Sequence, residues 1–317
     1  MYFPTSGVNV FPLIPFIVAF VVSFFTSMGG VSGAFLLLPF QVSVLGFTSP
    51  SVSPTNLIYN IVAIPSGVYR YIKEGRMAWP LAWVIISGTV PGVFVGAIIR
   101  IKYLLDPKNF KFFVGCVLLY IAVRLLYDLT SRAGAKNAKT NAMEENFKKR
   151  LSQINGQREA SLRGDVVIRT VKFSLMGYTY EFYGETFSFN TIALFVFTFG
   201  VGIVGGIYGI GGGSIIAPSL IAIFNLPVYT ITGATLLGTF FTSIVGVIYY
   251  TMMAPMYAHP DLAIAPDWSL GVLFGIGGLL GIYCGARIQK YFPAKTIKLV
   301  LSIVILFLSL RYIINIF

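Results

Sequence analysis

Two sets of five apolar runs, separated by a polar stretch, decide most of what this 317-residue chain can become. The runs fall at 11–28, 34–45, 52–69, 79–99 and 109–129, and again at 188–204, 214–224, 229–253, 268–286 and 296–317. Most approach the ~20 residues that a helix needs to cross a bilayer. Lipid offers the backbone no hydrogen-bond partner, so apolar runs of this length are expected as helices. The second run of each set is the exception. At about 1.5 Å per residue, its 11 or 12 residues cover little more than half of the hydrocarbon core. Composition agrees with lipid as the solvent: 11% of residues are charged, against about 25% in a soluble domain.

The two sets are copies of one unit. An offset of 179 places Gly30, Gly33 and Pro39 on Gly209, Gly212 and Pro218, and Ser53, Asn56 and Asn60 on Thr232, Thr235 and Thr239. Further on the offset becomes 189, and Trp79, Gly88, Gly92, Gly96 and Ala97 meet Trp268, Gly277, Gly281, Gly285 and Ala286. So many matches of uncommon residues at constant offset mark an internal repeat. The expected organisation is a first transmembrane repeat over 1–129, a polar insertion over 130–187 and a second repeat over 188–317. In the insertion, Thr140 to Ser161 reads as a short charged helix. Val166–Leu175 and Tyr178–Tyr183 alternate around Met176-Gly177 as a β-hairpin. This soluble appendage is too short for a core of its own.

Loop charges orient the chain. If all ten segments cross, one side holds 17 Lys and Arg, ten of them in 130–187, and the other holds four, Arg100, Lys102, Lys108 and Lys111. Re-entrant short segments would give 13 against 8, a weaker asymmetry than the positive-inside rule prefers. Five crossings per copy is odd, so the second copy enters the membrane inverted, as in many secondary transporters. The insertion is then cytoplasmic and both termini lie outside. Met1 to Val10 carry no positive side chain, so the first run lacks the basic leader of a signal peptide and is expected to persist as a span.

The glycine clusters before the short runs carry the chemistry. They read Met28-Gly29-Gly30-Val31-Ser32-Gly33 and Gly206-Ile207-Tyr208-Gly209-Ile210-Gly211-Gly212-Gly213-Ser214. A helix that starts at such a break turns unpaired N–H groups and a positive dipole end toward whatever fills the gap. Two such ends at mid-membrane make an anion site, or the glycines only let helices cross closely. The third segments add a stripe on one helical face, Ser53, Asn56 and Asn60, repeated as Thr232, Thr235 and Thr239 and extended by Thr242 and Ser243. Asn56 and Thr235 suit a ligand or interhelical glue equally, and the rest of the stripe reads first as glue. The Gly88, Gly92, Gly96 and Gly277, Gly281, Gly285 ladders read as packing faces. The substrate-binding candidates are Gly30, Ser32, Gly33, Asn56, Asn60, Tyr208, Gly211, Gly212, Gly213, Thr235 and Thr239.

Other functions are excluded by what the spans lack. No Asp or Glu lies centrally in any run, which argues against a carboxylate proton relay and an acidic cation site. Arg124 and Arg311 lie near span ends, where they can snorkel. Cys116 and Cys284 offer neither a disulfide framework nor a metal site, and the lone His259 sits in a loop, so no enzyme and no cofactor are expected. The basic residues lie in loops rather than on one face, which excludes nucleic acid as a partner. The expected partners are a small anionic substrate and the lipid bilayer of the cell membrane, and a homo-oligomer is compatible with both. The competing expectation is a structural or sensory membrane protein acting through 130–187.

The doubled glycine break, followed by an apolar run and proline (Gly33 to Pro39 and Gly209 to Pro218), resembles the sulfite exporter TauE/SafE family of permeases. The next segments, Pro54-Thr55-Asn56-Leu57 and Gly233-Ala234-Thr235-Leu236, stand where that family typically has Gly-Thr-Ser-Leu. The resemblance covers both membrane halves but not 130–187. It implies transport of sulfite, organosulfonates or related sulfur-containing anions, while the runs and offsets themselves lead to the expectation of an all-α polytopic fold of about ten segments in two inverted repeats.

Overall fold

The computed structural model describes residues 1–28, 31–73, 77–129, 168–174, 177–182, 185–224, 226, 228–257, 263–288 and 294–314. The first half contains α1 (Leu13–Met28), α2 (Ala34–Ser43), α3 (Val52–Ala63), α4 (Pro65–Lys73), α5 (Trp79–Lys102) and α6 (Pro107–Leu129). The second contains α7 (Thr191–Tyr208), α8 (Gly213–Ile223), α9 (Val228–Met253), α10 (Trp268–Ile288) and α11 (Ala294–Ile314). Five described helices are long and apolar enough to cross a membrane, within α5, α6, α7, α9 and α10, and shorter apolar helices cover Leu13–Ser27, Ala34–Ser43 and Leu299–Ile314.

Local chemistry explains the interruptions. Pro65 has no N–H and its ring conflicts with the carbonyl four residues back, so the run expected as one segment over 52–69 divides into α3 and α4. Its counterpart in the second half has no such proline and forms the single 26-residue α9. The start of α7 is fixed by Asn190, whose side chain accepts a hydrogen bond from the Ala193 N–H at 3.0 Å.

Helices pair reciprocally between halves. The first helix of each half lies on the penultimate helix of the other, α1 on α10 and α7 on α5, and the final helices of the two halves, α6 and α11, pack together. The glycine ladders make these approaches. A Cβ at Gly92 would lie 2.9 Å from the Gly202 Cα on α7, and one at Gly281 2.9 Å from the Ser23 Cβ on α1. This is the close helix packing expected of small residues in a membrane interior.

Two small sheets lie among the described residues. At the start of the chain, β1 (Tyr2–Phe3) pairs antiparallel with β2 (Val8–Asn9), an element without a sequence signal of its own. Its Ser6 N–H and hydroxyl donate to Asp267 Oδ2 at 3.1 and 2.8 Å, while Asp267 Oδ1 accepts from the Leu270 N–H at the start of α10. The insertion contains the expected hairpin as β3 (Arg169–Phe173) and β4 (Tyr178–Phe182), and adds a third antiparallel strand, β5 (Glu185–Phe189). The sheet is not free-standing. Tyr178, Tyr180 and Phe189 are buried, the Tyr180 hydroxyl hydrogen-bonds that of Thr230 at 2.8 Å, and the Phe189 ring lies edge-on to Phe224. The charged helix expected over Thr140–Ser161 lies outside the described residues.

Candidate substrate-binding site

The site is built on two half-helices, α2 and α8, of 10 and 11 residues. Each carries a proline inside, Pro39 and Pro218. An internal proline deprives the carbonyl four residues back of its helical donor. For Pro39 that carbonyl belongs to Phe35, and the Tyr208 hydroxyl, at the end of α7, donates to it at 2.7 Å. Helices α11 and α6 reach the prolines' own carbonyls. The Tyr312 hydroxyl of α11 donates to Pro39 O at 3.2 Å, and the Arg124 guanidinium of α6 to Pro218 O at 3.4 Å. Arg124, expected to snorkel, thus reaches a carbonyl inside α8. Each half-helix is held by the other half of the chain.

The two breaks use glycine for different reasons. In the second, Gly209 (φ +80°), Gly211 (φ +67°) and Gly212 (φ +88°) adopt left-handed backbone that other L-residues rarely reach. Space is short as well: a Cβ at Gly209 would lie 2.8 Å from the Ser53 Cα, and one at Gly211 2.7 Å from the Thr239 Cγ2 and 2.8 Å from the Ser243 Oγ. A Cβ at Gly213 would run into the Thr239 hydroxyl. In the first break, Gly33 has an ordinary φ of −69°. Glycine is needed there for room, because a Cβ would lie 2.7 Å from the Tyr59 Oη, 3.2 Å from the Ser23 Oγ and 3.3 Å from the Thr26 Oγ1. Gly30 lies outside the described residues.

The N-terminal ends of α2 and α8 meet. The Ser214 hydroxyl, in the first turn of α8, donates to the Ser32 carbonyl at 3.4 Å, and Ser32 immediately precedes α2's cap. Asn56 joins the halves directly: its Nδ2 donates to Ala34 O at 2.9 Å and to Gly209 O at 3.0 Å, and its Oδ1 accepts from Gln41 Nε2 at 3.2 Å. Asn60 Oδ1 accepts from the Ser32 hydroxyl at 2.9 Å. In the second half, the Thr235 and Thr239 hydroxyls donate to carbonyls of their own helix, Thr232 O at 3.0 Å and Thr235 O at 2.8 Å. Their lone pairs, not their protons, remain for other partners.

Three buried polar atoms around these breaks have no partner: Asn60 Nδ2, Gln41 Oε1 and Ser243 Oγ. An unpaired buried polar group costs roughly 1–3 kcal/mol, so such a group marks strain or a missing ligand. Of the three, Gln41 carried no sequence signal beyond being the one amide in an apolar run. Tyr59, whose hydroxyl pairs with Ser23 at 2.8 Å beside Gly33, was equally silent. Ser32, Asn56, Asn60, Tyr208, Thr235 and Thr239 are all buried. Among the described residues no group of three His, Cys, Asp or Glu could hold a metal ion. The surroundings are therefore hydroxyls, amides and two positive helix ends, each worth about half a charge.

Comparison with known proteins gives this arrangement a context. A probable membrane transporter protein of Bacillus subtilis, YunE, is 22% identical over 294 residues, 90% of this chain and 92% of that protein. A probable membrane transporter protein of Xylella fastidiosa is 24% identical over 280 residues, covering 86% of this chain and 83% of that one. No solved structure matches the chain. The family model described as sulfite exporter TauE/SafE matches residues 15–312, nearly the whole length, and so the chain belongs to the sulfite exporter TauE/SafE family of membrane transporters.

Proposed function

We propose that the chain is a cell-membrane permease for a small anion, sulfite, an organosulfonate or a related sulfur-containing anion, which it moves by alternating access. Ten segments form two inverted repeats, 130–187 is cytoplasmic, and both termini lie outside. The observation that carries the reading is the meeting of the two half-helix N-termini, Ser214 against Ser32, beside the partnerless Asn60 Nδ2. Two half-charges roughly balance one anionic charge without a buried lysine at the site, which suits a site that must also release. Ser32, Gly33, Asn60, Gly211 to Gly213, Thr235 and Thr239 surround the anion, Asn56 holds the two breaks in register, and Tyr208 supports α2. The described candidate side chains are buried, which supports access by movement of one half against the other.

The deciding experiment is a thermal-shift panel of the purified protein with sulfite, sulfate, thiosulfate and short sulfonates. A specific binder at about 100 times its Kd should stabilise by about 2.7 kcal/mol. A folded protein that responds to none of these anions would overturn the reading. Orientation is tested separately, in a background lacking Cys116 and Cys284. A cysteine at residue 150 should resist an impermeant thiol reagent in intact cells, and one at residue 260 should react. Labelling of both from outside would sink the inverted arrangement.

A further inference from the structure

Arg100 lies in the last turn of α5, at the end that the loop-charge reading places outside, and it is fully buried. Read as a loop charge, it instead continues the buried face of Gly88, Gly92 and Gly96 at the same spacing of four. Its guanidinium donates to two neutral carbonyls, Leu104 O and, at 3.2 Å, Thr48 O, and stacks 3.8 Å above the Phe110 ring. None of these partners carries a negative charge. Its Nε is buried without any partner, and so is the Oγ of Ser49, the residue after the bonded carbonyl. Among the described residues, the carboxylates at this end are engaged elsewhere. Asp106 is exposed and bonds the Lys108 N–H, and Asp267 accepts from Ser6 and Leu270.

A buried cation without a counter-charge is costly unless a negative group joins it. The fold does not demand this cation, since the corresponding position of the second repeat is Gln289. Tyr250 packs in one buried cluster with Ala97 and Ile101, which flank Arg100 on α5, and its hydroxyl donates to Gly206 O at 2.8 Å, at the entrance to the second break. We propose that Arg100 and Ser49 form a second anion-binding station, which takes a small oxyanion at the outer end of the route to the glycine breaks. The Nε–H and the Ser49 hydroxyl supply its donors, and Tyr250 links it to the central site. The station rests on the anion-permease reading for its role, and on its own unpaired charge for its existence.

The test is a sulfite titration of Tm on the full-length protein, with sulfite counterflow in proteoliposomes as the second readout. Arg100→Gln should raise the apparent Kd for sulfite at least tenfold, and Arg100→Lys should recover part of that loss. Ser49→Asp supplies a built-in carboxylate. It should raise Tm without anion and blunt the sulfite response, which keeps the test open if Arg100→Gln does not fold. Asn60→Leu, at the central site, should lose counterflow yet keep a saturable rise in Tm from the outer station. A folded Arg100→Gln protein with the wild-type sulfite response, or a Ser49→Asp protein with a lower Tm in anion-free buffer, would overturn the station. A sulfite response lost in Asn60→Leu but kept in Arg100→Gln would leave the central site standing alone. Full counterflow in Asn60→Leu would remove the central site and leave the station.

Discussion

Asn56→Asp should be among the most damaging single-atom-scale changes in this protein. The Asn56 Nδ2 donates to both Ala34 O and Gly209 O, one carbonyl from each half. Aspartate keeps the shape but turns an oxygen toward those two carbonyls. It also buries a charge that none of the described partners of Asn56 balances, a situation that typically costs about 3–5 kcal/mol. The expected outcome is a large fall in Tm and at least a tenfold loss of transport. Asn56→Thr installs the residue type found 179 positions on, Thr235. It should lose only the unmade bonds, about 1–3 kcal/mol. The pair is compared by Tm and by anion uptake into proteoliposomes. A well-folded Asn56→Asp protein with wild-type uptake would show that this amide does not hold the halves together.

Gly209→Ala should also be severe, and for separable reasons. Its φ of +80° is strained for any L-residue, by roughly 1–2 kcal/mol. The added Cβ would also sit 2.8 Å from the Ser53 Cα. That contact is with backbone, which cannot swing aside, and overpacking of this kind adds about 1–3 kcal/mol. Gly7 and Gly46 provide the controls, because their φ angles, +68° and +71°, are equally left-handed but nothing lies within 4 Å of a Cβ there. Gly7→Ala and Gly46→Ala should show the strain alone, so the difference in Tm between them and Gly209→Ala isolates the contact of α7 with α3. Equal losses in all three variants would mean that α7 and α3 part easily at this point.

Much of this architecture is legible in the sequence because bilayer length and internal hydrogen bonding leave few options. The short runs at 34–45 and 214–224 end as α2 and α8 within two residues of those bounds. β5 was hidden because Glu185-Thr186-Phe187-Ser188-Phe189 alternates only briefly and then merges with the apolar run of α7. The division at Pro65 could have been read from the proline itself. The site is harder, because hydrogen-bond partners are chosen by distances that only packing sets. Pro39 announces that the Phe35 carbonyl needs a new donor, but nothing local says that Tyr208, 173 positions away, supplies it. Arg100 misleads for a related reason: the end of an apolar run looks like a loop, while the spacing from Gly96 puts the side chain on the inner face.

The way each half-helix is held by the opposite half has a consequence for biosynthesis. When α6 has been made, α1 still lacks α10, the Phe35 carbonyl lacks Tyr208 and the Pro39 carbonyl lacks Tyr312. At ribosomal speeds of about 5–20 residues per second, the interval from residue 129 to residue 312 is on the order of 10–40 s. Until each of these partners emerges, the amino-terminal half sits in the bilayer with the matching face open to lipid and to other nascent helices. Completion cannot proceed from the amino terminus toward the carboxyl terminus. It waits for α11, whose Tyr312 hydroxyl reaches the Pro39 carbonyl of α2 while the helix packs on α6.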